Sequence, residues 1–127
     1  MAHILVIDDE SFIRSLFGQF LEKSGHSVAL AADGREGLQL IKQQKPDLII
    51  TDIMMPEMDG LELLMEIRKQ HLEIPVIAIS GGMKSQPANF LPQAQKFGAQ
   101  RVFIKPINLA ELFNAVNELL SKPSENK

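Results

Sequence analysis

The stretch "LIITDIMMPEMDG", Leu48 to Gly60, decides how the chain is read. It opens with Leu48, Ile49, Ile50 and Thr51, a run without a polar alternate, as in a strand covered on both faces. Asp52 closes the run, and Met54, Met55 and Pro56 turn the chain away. An ionised Asp is rarely buried without a partner. Either Asp52 caps a turn, or something cationic or covalent makes use of it.

Four further short apolar runs flank this one: "HILVI" (3–7), "SVALAA" (27–32), "PVIAIS" (75–80) and "RVFI" (101–104), with "DLIIT" (47–51) in the middle. Segments of helical period lie between them. Ile13, Leu16, Phe17, Phe20 and Leu21 form one apolar stripe, Leu61, Leu64 and Ile67 a second, and Leu109, Leu112, Phe113, Val116 and Leu120 a third. Asp33 with Glu36, Asp59 with Glu62, and Asn108 with Glu111 repeat the spacing of a helix cap followed by an acid, and Gly25 and Gly98 suit helix ends. Between Gly81 and Gln95 the residues Gly81, Gly82, Pro87 and Pro92 leave room for only a short fourth helix. Strand and helix thus alternate five times, which predicts an α/β fold: a doubly wound five-stranded parallel sheet in the order 2-1-3-4-5, a flavodoxin-like (βα)5 sandwich.

The bulk composition narrows the function. The 127 residues suit one domain, residues 1–121, followed by a polar tail, 122–127. Thirteen basic against sixteen acidic residues, a net charge of -3, give no basic footprint for direct nucleic-acid binding. The absence of Cys removes disulfides and thiolate chemistry and suits a cytoplasmic setting. No apolar stretch approaches the length of a membrane span, so no membrane association is expected.

Ligands of an open parallel sheet collect beyond the carboxyl ends of its strands. Asp8 and Asp9 fall there after strand 1, Asp52 after strand 3, Ser80 after strand 4, and Lys105 with Pro106 after strand 5. Three converging carboxylates repel, and the usual remedies are a bound proton or a hard divalent cation, for which Mg²⁺ is the common choice. A cation implies an anionic substrate, and Lys105 with Ser80 suits the oxygens of a phosphoryl group in transfer. Asp52, at the centre, would be the nucleophile.

In combination "VIDDE", "TDIMMPEMDG", "AISGG" and "FIKP" resemble the receiver domains of two-component response regulators, over about Ala2 to Leu120. The strand order is carried over from that resemblance as much as read from the alternation. By the resemblance, Asp52 accepts a phosphoryl group from a phosphohistidine on a sensor histidine kinase or histidine phosphotransfer protein. Asp8, Asp9, Asp52 and the carbonyl of Met54 hold Mg²⁺, and Ser80 and Lys105 bind the phosphoryl oxygens. The expectation is a stand-alone receiver, a monomer or weak dimer that signals to a downstream protein in its phosphorylated state. A phosphorelay intermediate or phosphate sink, and a phosphate-independent docking module, are the alternatives; the resemblance implies self-phosphorylation at Asp and slow autodephosphorylation, not turnover of an external substrate.

Glu10 reads as a favourable acid in the first turn of helix 1. His3, His26 and His71 read as structural, and the six Met as core or turn filling. Phe12 falls off the apolar stripe, one turn from the acid pair, where the family's docking surface for the phosphodonor lies. Two departures stand out. Val102 occupies a position where receivers usually carry Tyr or Phe, and the segment between Ser80 and Gly98 is longer than expected. The expectation is that any output change is carried by Gly81 to Phe97.

Overall fold

The computed structural model describes residues 2–53, 60–70, 73–80 and 98–121. In chain order these form β1 (His3–Ile7), α1 (Ser11–Lys23), β2 (Ser27–Ala31), α2 (Gly34–Gln43), β3 (Leu48–Asp52), α3 (Gly60–Lys69), β4 (Val76–Ser80), β5 (Arg101–Ile104) and α4 (Leu109–Ser121). All strand pairs are parallel, and the sheet order is β2-β1-β3-β4-β5. The doubly wound 2-1-3-4-5 sheet is therefore present. The expected fourth helix between Gly81 and Gln95, the turn at Met54 to Pro56, the Asp59 cap, His71 and the 122–127 tail lie outside the described residues.

Side chains alternate across each strand, so consecutive apolar residues feed two different cores. Ile4, Val6, Leu48, Ile50, Ile77 and Ile79 pack with Phe17 and Leu21 of α1 and Leu112, Val116 and Leu119 of α4. Leu5, Ile7, Ile49, Val76 and Ala78 pack on the other side with Ile41 of α2 and Leu63, Leu64 and Ile67 of α3. Each fully buried Leu or Ile contributes about 1.5 to 3 kcal/mol of transfer free energy, so replacing one of these core residues with a polar one would be costly.

The runs of β2 and β5 read like those of the centre but end up at the sheet's margins, where Leu30 and Ile104 are exposed. Phe20, placed in the first apolar stripe, also sits at a boundary: it is 37% exposed and tilts against the ring of Phe113 on α4 at 5.1 Å.

Local chemistry fixes the helix ends. The Glu36 N–H donates to Asp33 Oδ1 at 2.8 Å while the Glu36 carboxylate accepts from the Ala32 N–H at 2.8 Å, and the Glu111 N–H donates to Asn108 Oδ1 at 3.1 Å. After α1, Gly25 takes φ +94°; its N–H donates to the Glu22 carbonyl and that of His26 to the Leu21 carbonyl, which turns the chain into β2. At Gly37 the α2 backbone comes so close to β1 that an added Cβ would stand 2.5 Å from Ile7 Cδ1.

Candidate functional site: an acidic crevice with one lysine

The register delivers the site. Ile7 pairs with Thr51, so Asp8 and Asp52 follow side by side on β1 and β3; Asp52 pairs with Ile79, and Ser80 with Ile104. Asp52, Ser80 and Lys105 thus end or follow three successive neighbours in the sheet. The ladder runs on past Asp52, because the Ile53 N–H donates to the Ile79 carbonyl at 2.9 Å. Asp52 is 3% exposed, held by rigid backbone on both sides.

Asp8 is equally buried. Its N–H donates to the Ala31 carbonyl at 3.1 Å, its Oδ1 accepts from the Glu10 N–H at 2.9 Å, and its carbonyl accepts from Arg14 Nη1 at 2.7 Å. Asp9, beside it, is exposed. Carboxylate oxygens of Asp8, Asp9 and Asp52 all lie within 4.8 Å of one another. Lys105 Nζ stands 3.2 Å from Asp52 Oδ2, 3.5 Å from Asp8 Oδ2 and 3.5 Å from Glu10 Oε1.

The electrostatics follow from burial and crowding. Burial pushes the Asp8 carboxyl up to about 6; the negative charges of Asp52 and Asp9 add to this, while the Glu10 N–H and Lys105 oppose it. Burial alone would lower the Lys105 ammonium, but the carboxylates of Asp52, Asp8 and Glu10 together outweigh it, and its pKa is raised. Lys105 is therefore a fixed positive charge. Asp8 Oδ2 is buried, and among the described residues it has no hydrogen bond, although Lys105 lies at ion-pair distance. A buried carboxylate oxygen without a donor, grouped with two more acids, has the hard oxygen chemistry that suits Mg²⁺.

The structure thus brings together Asp8, Asp9, Asp52 and Lys105. Ser80 ends β4 at the same edge, and the placement of its side chain, like the whole of Met54, lies outside what is described. The sequence reading of Glu10 needs correction. The residue precedes α1 as its N-cap, caps nothing with its side chain, and instead reaches Lys105, 95 positions away. Arg14, one turn on, also reaches the site, through the Asp8 carbonyl. His3 and His26 lie at the opposite end of the sheet, bonded to Ser27 Oγ and the Ala2 N–H.

A doubly wound sheet that gathers Asp8, Asp9, Asp52 and Lys105 at the carboxyl ends of its strands has the outline of a phosphoryl-transfer module. Residues 4–117 match the family described as "Response regulator receiver domain", and the chain belongs to that family. It is 35% identical over 124 residues to the transcriptional regulatory protein GlrR of Escherichia coli K12, covering 95% of this chain and 27% of GlrR. It is 37% identical to the sensor kinase CckA of Brucella abortus, covering 95% of this chain and 13% of CckA. Among solved structures, the receiver domain of Brucella abortus NtrX superimposes with a TM-score of 0.85 at 35% identity, covering 94% of this chain and 99% of that one. The chain spans about a quarter or less of the curated relatives named here.

Proposed function

We propose that the chain accepts a phosphoryl group on Asp52 from a phosphohistidine of a sensor histidine kinase or histidine phosphotransfer protein. The observation that carries this is the Asp52 carboxylate at the end of the central strand, 3.2 Å from Lys105 Nζ and grouped with Asp8 and Asp9. An Asp52 oxygen forms the bond to phosphorus, the phosphorus–nitrogen bond to the donor imidazole breaks, and the imidazole leaves with the electron pair. Lys105 exchanges its carboxylate partners for phosphoryl oxygens, and the Ser80 hydroxyl donates to another. Asp8, Asp9, Asp52 and the Met54 carbonyl would hold Mg²⁺, which neutralises phosphoryl and carboxylate charge when bound. The rest of the catalysis is position: Asp52 is presented by a strand bonded on both sides, so little reorganisation remains at the moment of transfer.

Residues 1–121 act in this reading as the receiver and 122–127 as a polar tail, in the cytoplasm, with output through phosphorylation-dependent binding of another protein. Among the described residues no helix is long and apolar enough to cross a membrane. Phe12, 72% exposed on the first turn of α1, suits contact with the phosphodonor. A relay role is the second reading, favoured by the match to a segment of a protein named as a sensor kinase. Intact mass after incubation with Mg²⁺ and acetyl phosphate tests the assignment. Wild type gains one phosphoryl group and Asp52→Asn gains none; a label on Asp52→Asn overturns it. Pull-down of partners in both states then separates output from relay.

A further inference from the structure

Three carboxylates share the single ammonium of Lys105, and they are not equivalent. The side chains of Asp52 and Asp8 are 4% and 2% exposed, fixed at the ends of two central strands. That of Glu10 is 60% exposed, makes no capping bond to α1, and meets Lys105 from the solvent side at 3.5 Å. Its own N–H meanwhile holds Asp8 Oδ1. Glu10 is thus tied by its backbone and movable at its tip. A phosphoryl group arriving at Asp52 would compete for the same ammonium with the Glu10 carboxylate beside it. Each negative charge the donor carries makes that approach harder.

We propose that Glu10 is a specificity-determining residue for the phosphodonor: its carboxylate occupies Lys105 in the resting site and opposes donors in proportion to their negative charge. This rests on the reading of Asp52 as the acceptor. Small anionic phosphates meet the carboxylate unshielded. A protein phosphohistidine brings neighbouring side chains that can answer it, so the bias runs toward protein donors.

Two small donors of different charge separate this from a structural effect. Acetyl phosphate is a dianion near neutral pH; an Asp52 oxygen bonds to phosphorus, the bond from phosphorus to the bridging oxygen breaks, and acetate leaves with the pair. Phosphoramidate carries a net single negative charge; its phosphorus–nitrogen bond breaks and the already protonated nitrogen leaves as ammonia. Initial rates of mass gain are measured at saturating Mg²⁺ for wild type, Glu10→Gln, Glu22→Gln and Asp52→Asn. Glu22 lies three turns away on α1 and controls for net charge. Glu10→Gln should accelerate acetyl phosphate by roughly fivefold and phosphoramidate by about twofold at low salt, with the donor ratio returning towards wild type at about 1 M salt. Glu22→Gln should leave the ratio unchanged. An unchanged ratio in Glu10→Gln, or an equal shift in Glu22→Gln, overturns the proposal and leaves Asp52 as acceptor. A label that persists in Asp52→Asn overturns the reading beneath it.

Discussion

Arg14 Nη1 donates to the backbone carbonyl of Asp8 at 2.7 Å, so the second turn of α1 anchors the strand end that carries the acid pair. Arg14→Ala removes a hydrogen bond from a charged donor, an interaction worth about 1.5 to 3 kcal/mol, and frees the Asp8 backbone. Urea denaturation should show a loss of roughly that size. The phosphorylation rate should fall as well, whereas Arg35→Ala, on the outer face of α2, should leave the rate alone. Equal rates for wild type and Arg14→Ala would remove Arg14 from the site's support.

Asp8 holds its proton up to about pH 6 in the folded chain but only to about 3.8 when exposed. Between these values the folded state binds more protons than the unfolded one, so this group lowers stability as pH rises through the window. Asp8→Asn removes that cost. Without Mg²⁺ the variant should match wild type near pH 4 and exceed it near pH 7.5, by on the order of 2 to 3 kcal/mol at most. Denaturation at the two pH values checks it, and a gain that is the same at both would contradict the cause given.

Asp9→Ala deletes one oxygen donor and should weaken Mg²⁺ by roughly tenfold or more. Lys105→Ala removes a cation that competes for the same carboxylates and should leave Mg²⁺ affinity equal or higher, while the phosphorylation rate drops. The chain has neither Trp nor Tyr, so calorimetric titration is the suitable readout. Parallel losses of metal in both variants would refute the division of roles.

Gly37→Ala sets a helix gain of about 1 kcal/mol against overpacking that typically costs about 1 to 3 kcal/mol. The new Cβ would lie 2.5 Å from Cδ1 of Ile7, the residue just before Asp8. A net loss of stability is expected. Adding Ile7→Val, which deletes the clashing methyl, should recover part of it; a double variant that is no better than the sum of the single ones would show that the contact is not the cause.

The sheet and most of the site were legible in the sequence for a simple reason. A parallel strand buried on both faces is written as a continuous apolar run, and an acid or lysine closing such a run marks the sheet edge where ligands collect. Asp8, Asp52 and Lys105 could be placed that way without knowing a single distance. Glu10 could not, because its role depends on a contact between the start of α1 and the end of β5 that no local pattern records. Its identity as an acid near a helix start offered a sufficient local explanation. The apolar runs alone do not mark the margins: "SVALAA" and "RVFI" read as apolar as "DLIIT", and it is the predicted 2-1-3-4-5 order that places them at the edges.

The bond between Asp52 and Lys105 joins two parts of the sheet that differ in how many neighbours hold them. Asp52 closes β3, which has a bonded neighbour on either side, whereas Lys105 follows β5, one of the two edge strands, with a single neighbour. If phosphorylation changes the charge at Asp52, the strand paired on both sides is the less able to yield, so β5 would move more readily than β3, alongside the change expected of Gly81 to Phe97. Val102 and Ile104 alternate with Phe103 there, one against the α3 side of the core and the other open to solvent. The proposed acceptor thus sits on a strand paired on both sides and its ammonium partner just beyond one paired on a single side, so a change of charge between them would load the two ends of that bond unequally.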